Sequence, residues 1–270
     1  MKAEELIREG DLCGALTNLQ EHIREHPSNG AYRLFLFQLL AVMGQWERAY
    51  NQLKVASQLD DSFLILTQAY REVIQCEKLR QEIFTGQREP LIMGEPQQWI
   101  VLLIEALRLE NKDHLPAAAQ LREEAADLAK ASSGTIDGHP FQWLADADMR
   151  LGPIFEIMLN GNYYWVPISL VKNININPPT DLRDLVWLPV HCTWQNGGEG
   201  HGFIPTRYPG SENSQDSTIQ MARKTIWEEP EPGIYRGFGQ RLLASDQDDF
   251  PILDIRELAF TPTEVDQTHG

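Results

Sequence analysis

The chain has 270 residues, 42% of them hydrophobic, which suits two cores and rules out bulk disorder. A formal charge of -16 (23 basic against 39 acidic side chains) repels a phosphate backbone and excludes nucleic acid as the natural partner. Three scattered cysteines, carboxylates at once after Met1, and no long apolar run argue against a disulfide framework, a signal peptide and a membrane span; the expectation is a cytoplasmic protein.

Displaced by 34 positions, the chain matches itself. Leu6 falls on Leu40, Gly10 on Gly44, Ala15 on Ala49, Leu16 on Tyr50 and Leu19 on Leu53. This is the period of tetratricopeptide (TPR) hairpins, which stack into solenoids that bind peptides. Leu12, Ala15, Leu16, Leu19 and Ile23 make one helical stripe, stopped at His26-Pro27. Ser28 or Asn29 caps the next helix, 30 to 43, which is apolar nearly all round and must be covered on several sides. Trp46, Ala49, Tyr50, Leu53 and Ala56 repeat the first packing face. A third helix runs from Phe63 to about Phe84 and ends at Gly86. The period then breaks in a loop containing Pro90, Gly94 and Pro96, and a helix from Trp99 pairs with one over Leu115 to Ala129.

The stretch from Ser132 to Pro140 is a composition break. It divides the chain into a TPR-like helical repeat domain (1–131), a linker (132–145), a compact mainly β (α+β) domain (146–265) and a frayed C-terminus (266–270). Segments 163–167, 172–177, 186–193 and 202–206 are short, β-branched or aromatic, and bounded by Pro, Gly or Asn, as strands are. Ile174 and Ile176 alternate with asparagines in a half-buried strand that Pro178-Pro179 ends.

Candidate chemistry is sparse. His191, Cys192, Glu199 and His201 include metal ligands that a hairpin turning at Gly197-Gly198 would bring together, but their spacing matches no zinc pattern. His191 and Cys192 also point to opposite faces of a strand. The glycine-rich run 197–202 lacks the Lys-Ser/Thr ending and the helix of a phosphate loop. Asp146, Asp148 and Arg150 read as capping and surface charge pairing around a helix before Gly152-Pro153. In Tyr163-Tyr164-Trp165 alternation puts Tyr163 and Trp165 on one face and Tyr164 on the other, one face for the core and one for a partner. With Trp187, Trp194, Arg207 and Tyr208 these are the candidate partner-binding residues.

Five segments in order carry a resemblance: Asp146 to Pro153, Asn160 to Pro167, Asp181 to Pro189, Gly197-Gly198-Glu199, and Ile204 to Ser211. The series resembles the ImpE/TagJ family of type VI secretion accessory proteins. The resemblance implies a non-enzymatic cytoplasmic adaptor without cofactor or catalytic residues. It also implies binding to the N-terminal helix of the small contractile-sheath subunit, with an indirect link to the ClpV unfoldase that recycles the sheath. Two alternatives stand beside it. One is a metal-dependent enzyme using His191, Glu199 and His201. The other is a general TPR-type co-chaperone with Arg24, Arg33, Arg48 and Arg71 as its basic clamp.

Overall fold

The computed structural model describes residues 2–262, so the expected frayed end at 266–270 lies outside the described residues. The chain begins with two helical hairpins, α1 (Lys2–Glu9) with α2 (Leu12–Glu25) and α3 (Gly30–Val42) with α4 (Trp46–Leu59). The 34-residue echo is visible in their turns. Gly10 and Gly44 adopt φ of +89° and +68°, the left-handed region that a Cβ penalises. Asp11 caps α2 and Asn29 caps α3, each through a side-chain oxygen accepting a backbone N–H of the first turn. Seven successive residues of α3, Leu36 to Val42, are buried, as its all-round apolar pattern requires. The long α5 (Leu64–Phe84) and a last hairpin, α6 (Gln98–Glu110) with α7 (Leu115–Leu128), complete the helical half.

The second half is mixed and mainly β. Its short strands are β1 (Leu91–Ile92), β2 (Gly134–Ile136), β3 (His139–Phe141) and β4 (Leu144–Asp146). The central ones are β5 (Ile154–Leu159), β6 (Asn162–Pro167), β7 (Val171–Ile176), β8 (Trp187–Trp194) and β9 (Glu199–Pro205). A four-residue helix α8 (Ser217–Gln220) precedes β10 (Thr225–Glu231), β11 (Ile234–Gly239), β12 (Leu242–Ser245), β13 (Asp249–Pro251) and β14 (Glu257–Phe260). The main sheet has nine strands in the order β1-β6-β5-β9-β8-β7-β14-β2-β3. A three-stranded sheet (β13-β12-β4) and the β10–β11 hairpin stand beside it.

Two segments differ from their sequence reading. The loop after α5 carries β1, which pairs in parallel with β6, so the helical half supplies an edge strand of the sheet. Residues 134–146, expected within and just beyond a linker, form β2, β3 and β4. Their small and turn-forming residues serve strand packing instead. A Cβ on Gly134 would lie 2.1 Å from the Ala259 carbonyl oxygen, and Asp137 and Gly138 make a left-handed turn between β2 and β3.

The main sheet buries both faces. Ile154, Met158, Tyr163, Trp165 and Trp187 continue the core of the helices. Phe155, Ile157, Val166, Leu188, Val190 and Cys192 point the other way, into a second core with Ile174, Leu243, Ile255 and Leu258. The period of two within β5, β6 and β8 thus sorts neighbours into different cores.

The second half also grips the repeat at equivalent points. Arg207 Nη1 donates to the Val42 carbonyl at 2.7 Å, and Nη2 reaches that of Ala41 at 3.5 Å. Arg223 donates to the carbonyls of Arg8 and Ile7 at 2.9 and 3.2 Å. Ile7 and Arg8 stand one period before Ala41 and Val42. Each arginine therefore places a cation on carbonyls ending the first helix of a hairpin, where the helix dipole is negative. The turn glycines face the same segment. A Cβ on Gly44 would meet Glu212 Cγ at 2.6 Å, whereas one on Gly10 would meet the movable Ser217 Oγ at 2.9 Å. Gly44→Ala is therefore expected to cost about 2 kcal/mol and Gly10→Ala about 1 kcal/mol, read from urea midpoints of the two variants.

Candidate functional site

The segments that carry the family resemblance converge where α5 crosses the sheet. Arg80 of α5, fully buried, donates Nε and Nη2 to the Glu156 carboxylate at 2.5 and 3.1 Å. Its Nη1 reaches Glu77 at 3.1 Å, and Nη2 also reaches the Arg207 carbonyl at 3.0 Å. Glu77 accepts the indole N–H of Trp187 at 2.9 Å. Trp165 donates to the Tyr163 hydroxyl, which in turn donates to Glu156. On the far side Arg241 bridges Glu156 at 3.1 Å and Asp146 at 2.7 Å. Asp148 holds Arg150 and accepts the Gly237 N–H at 2.9 Å.

Three guanidiniums (Arg80, Arg150 and Arg241) and four carboxylates thus meet in one buried junction, which fits the rule that buried charges occur paired. Burial opposes the ionisation of Glu156, but two facing guanidiniums outweigh it and hold its carboxyl at about 2. Asp146 meets a single guanidinium, and burial there pushes the carboxyl up to about 6. Burial also lifts the Tyr163 hydroxyl well above its ordinary value, keeping it a neutral donor to Glu156.

At the edge of this junction a cleft of about 470 Å³ opens between the α3–α4 turn, the end of α5 and the segment 209–213. Trp46 and Phe84 line it, with Gly44 and Gly210, both in left-handed conformation, opposite side chains of Gln81 and Glu212 that hydrogen-bond to each other at 2.7 Å. The Arg150 guanidinium lies over the Phe84 ring at 5.3 Å.

The aromatic candidates fall mostly inside. Tyr163, Trp165, Trp187 and Tyr208 are fully buried, and Arg207 is 4% exposed. Their surface role gives way to an interior one, because the face expected to meet a partner meets the helices of the same chain. Tyr164 and Trp194 are half-buried and remain at the surface. Asp148 and Arg150 do pair, but in the interior and in a turn after β4 rather than beside a helix. The β8–β9 hairpin brings His191, His201 and Glu199 together, with the imidazoles 4.6 Å apart and His191 Nε2 at 3.4 Å from Glu199. The two ring planes are tilted by 33°, and Cys192 is buried on the opposite face of the strand. Among the described residues no group of three or more His, Cys, Asp or Glu side chains is placed to hold a metal ion.

Arg80, Glu77, Glu156 and Arg241 escaped the sequence reading. In α5 the run from Glu77 to Glu82 looks like a solvated helix face. Glu156 did carry a signal, a lone carboxylate among Ile154, Phe155, Ile157 and Met158.

A helical array docked through a buried ionic junction onto a mixed sheet has the build of an interaction protein. The ImpE protein family matches residues 138–259. Over 265 residues the chain is 48% identical to the type VI secretion system accessory component TagJ of Pseudomonas aeruginosa, covering 98% of this chain and 93% of that protein. The fold matches the crystal structure of protein VPA1032 from Vibrio parahaemolyticus with a TM-score of 0.89, at 24% identity, over 98% of this chain and 99% of that one. The chain belongs to the ImpE/TagJ family of type VI secretion accessory proteins.

Proposed function

We propose that this protein is a non-enzymatic cytoplasmic adaptor of a type VI secretion system. It binds the N-terminal helix of the small contractile-sheath subunit and assists sheath assembly or its unfoldase-driven recycling. The observation that carries this reading is the 48% identity, over nearly the full length, to the accessory component TagJ. The architecture supports it: α1–α2 and α3–α4 repeat in 34-residue register as TPR-like hairpins do, and such hairpins present a groove suited to a partner helix. Tyr164 and Trp194, half-buried on the sheet, are the surviving aromatic candidates for contact.

Titration calorimetry of the full chain with a peptide of the sheath subunit's N-terminal helix tests the reading. A saturable heat with one-to-one stoichiometry is expected, in the micromolar range typical of a contact that must be released. Absence of heat with the peptide, together with failure to co-purify with the intact sheath subunit, would discard it.

A further inference from the structure

Among the arginines of the second half that face the helices, Arg207 and Arg223 hold main-chain carbonyls that end α3 and α1. Another, Arg150, is 7% exposed and lines the 470 Å³ cleft beside the end of α5. Its Nε and Nη2 are spent on Asp148, with Nη2 also facing the Gly237 carbonyl, and its Nη1 takes part in none of these hydrogen bonds. The α5 carbonyls do not need it, since Asn111 and the chain at Thr85 and Gly86 take them. Trp46, another lining residue, brings an indole N–H donor to the same cleft. Two donors and two apolar rings therefore line one opening.

We propose that this cleft is a docking site for a helical end of a partner protein, which lays an apolar side chain against Trp46 and Phe84 and offers a main-chain carbonyl to Arg150 Nη1. A neutral acceptor fits better than a carboxylate. Asp148 already neutralises Arg150, and the Glu212 carboxylate at the rim repels a second negative charge. The mode repeats what Arg207 and Arg223 do within the chain. It rests on the reading of the protein as an adaptor and assigns that adaptor a contact point.

The test uses small probes, so that it does not depend on the sheath peptide. N-acetyl-leucine N-methylamide and N-acetyl-leucine are titrated into the ¹⁵N-labelled full chain. The neutral probe is expected to shift the Trp46 indole and Arg150 side-chain resonances saturably at millimolar concentration, and the carboxylate probe to bind at least threefold more weakly. Asn213→Trp and Thr85→Tyr, substitutions at exposed positions on the rim, should each weaken the neutral probe at least fivefold while leaving the melting temperature unchanged. No shift up to 50 mM, equal or tighter binding of the carboxylate, or shifts that survive both rim substitutions would overturn the proposal. If the sheath peptide binds the wild type and both rim variants alike, the cleft assignment fails and the adaptor reading stands. If the probes behave as expected while the peptide fails to bind and the intact sheath subunit fails to co-purify, the adaptor reading fails and the cleft stands.

Discussion

Glu156→Gln is expected to lower the unfolding free energy by about 3–5 kcal/mol, the usual cost of removing one partner from a buried ionic cluster. Glutamine keeps the shape but leaves Arg80 and Arg241 facing a neutral amide in place of the carboxylate they share. The pH dependence gives a second check. Glu156 sits at about 2 in the folded chain against an ordinary 4.5, so the unfolded chain takes up its proton first as pH falls. Its contribution, about 3 kcal/mol from that shift, is fully present above pH 4.5 and is lost as pH drops towards 2. Urea titrations of both proteins should therefore show a gap that is constant near neutrality and narrows below pH 4.5. A gap that stays constant down to pH 2.5 would mean that packing, not charge, carries the effect.

Arg207→Met is the second large effect, about 2–4 kcal/mol. The substitution keeps the apolar stem but strips charged hydrogen bonds from the carbonyls of Val42, Ala41 and Gln220 in the interior. Arg223→Met removes the equivalent contact from α1 at the rim of the fold, where water replaces the lost donor, and should cost less than about 1 kcal/mol. Hydrogen exchange separates the two, since Arg207→Met should deprotect the last turn of α3 before the rest of the helix. Equal losses for the two variants would show that burial does not distinguish the two grips.

Much of the architecture was legible because local rules and tertiary packing agree in it. The helix over 64–84, the hairpin turns at Gly10 and Gly44, and the strands around 163–167, 171–176 and 187–194 follow from periodicity and from where glycine, proline and asparagine stand. The alternation of Tyr163 and Trp165 against Tyr164 was also readable, and the structure splits them between two cores as alternation requires. What periodicity does not say is which buried face meets which element. A tryptophan that suits an interface suits a core equally well, and Trp165 and Trp187 were drawn inward by the helices that cover them.

The sequence by itself determined the main helices and the central strands, the 34-residue register of the first two hairpins, and membership of the family through ordered motifs spread over the second half. Only the tertiary structure decided that the two halves share one core, that the Gly-Ser-Pro stretch after Lys130 is strand rather than linker, and that Arg80, Glu77, Glu156 and Arg241 form one ionic junction. The reason is one of range. Helix and strand preferences act between residues a few positions apart, whereas Arg80 and Glu156 are 76 positions apart and Arg207 and Val42 are 165. A charged side chain on an amphipathic helix looks the same in sequence whether water or a buried carboxylate receives it. Burial, set by the docking of the sheet, decides between the two.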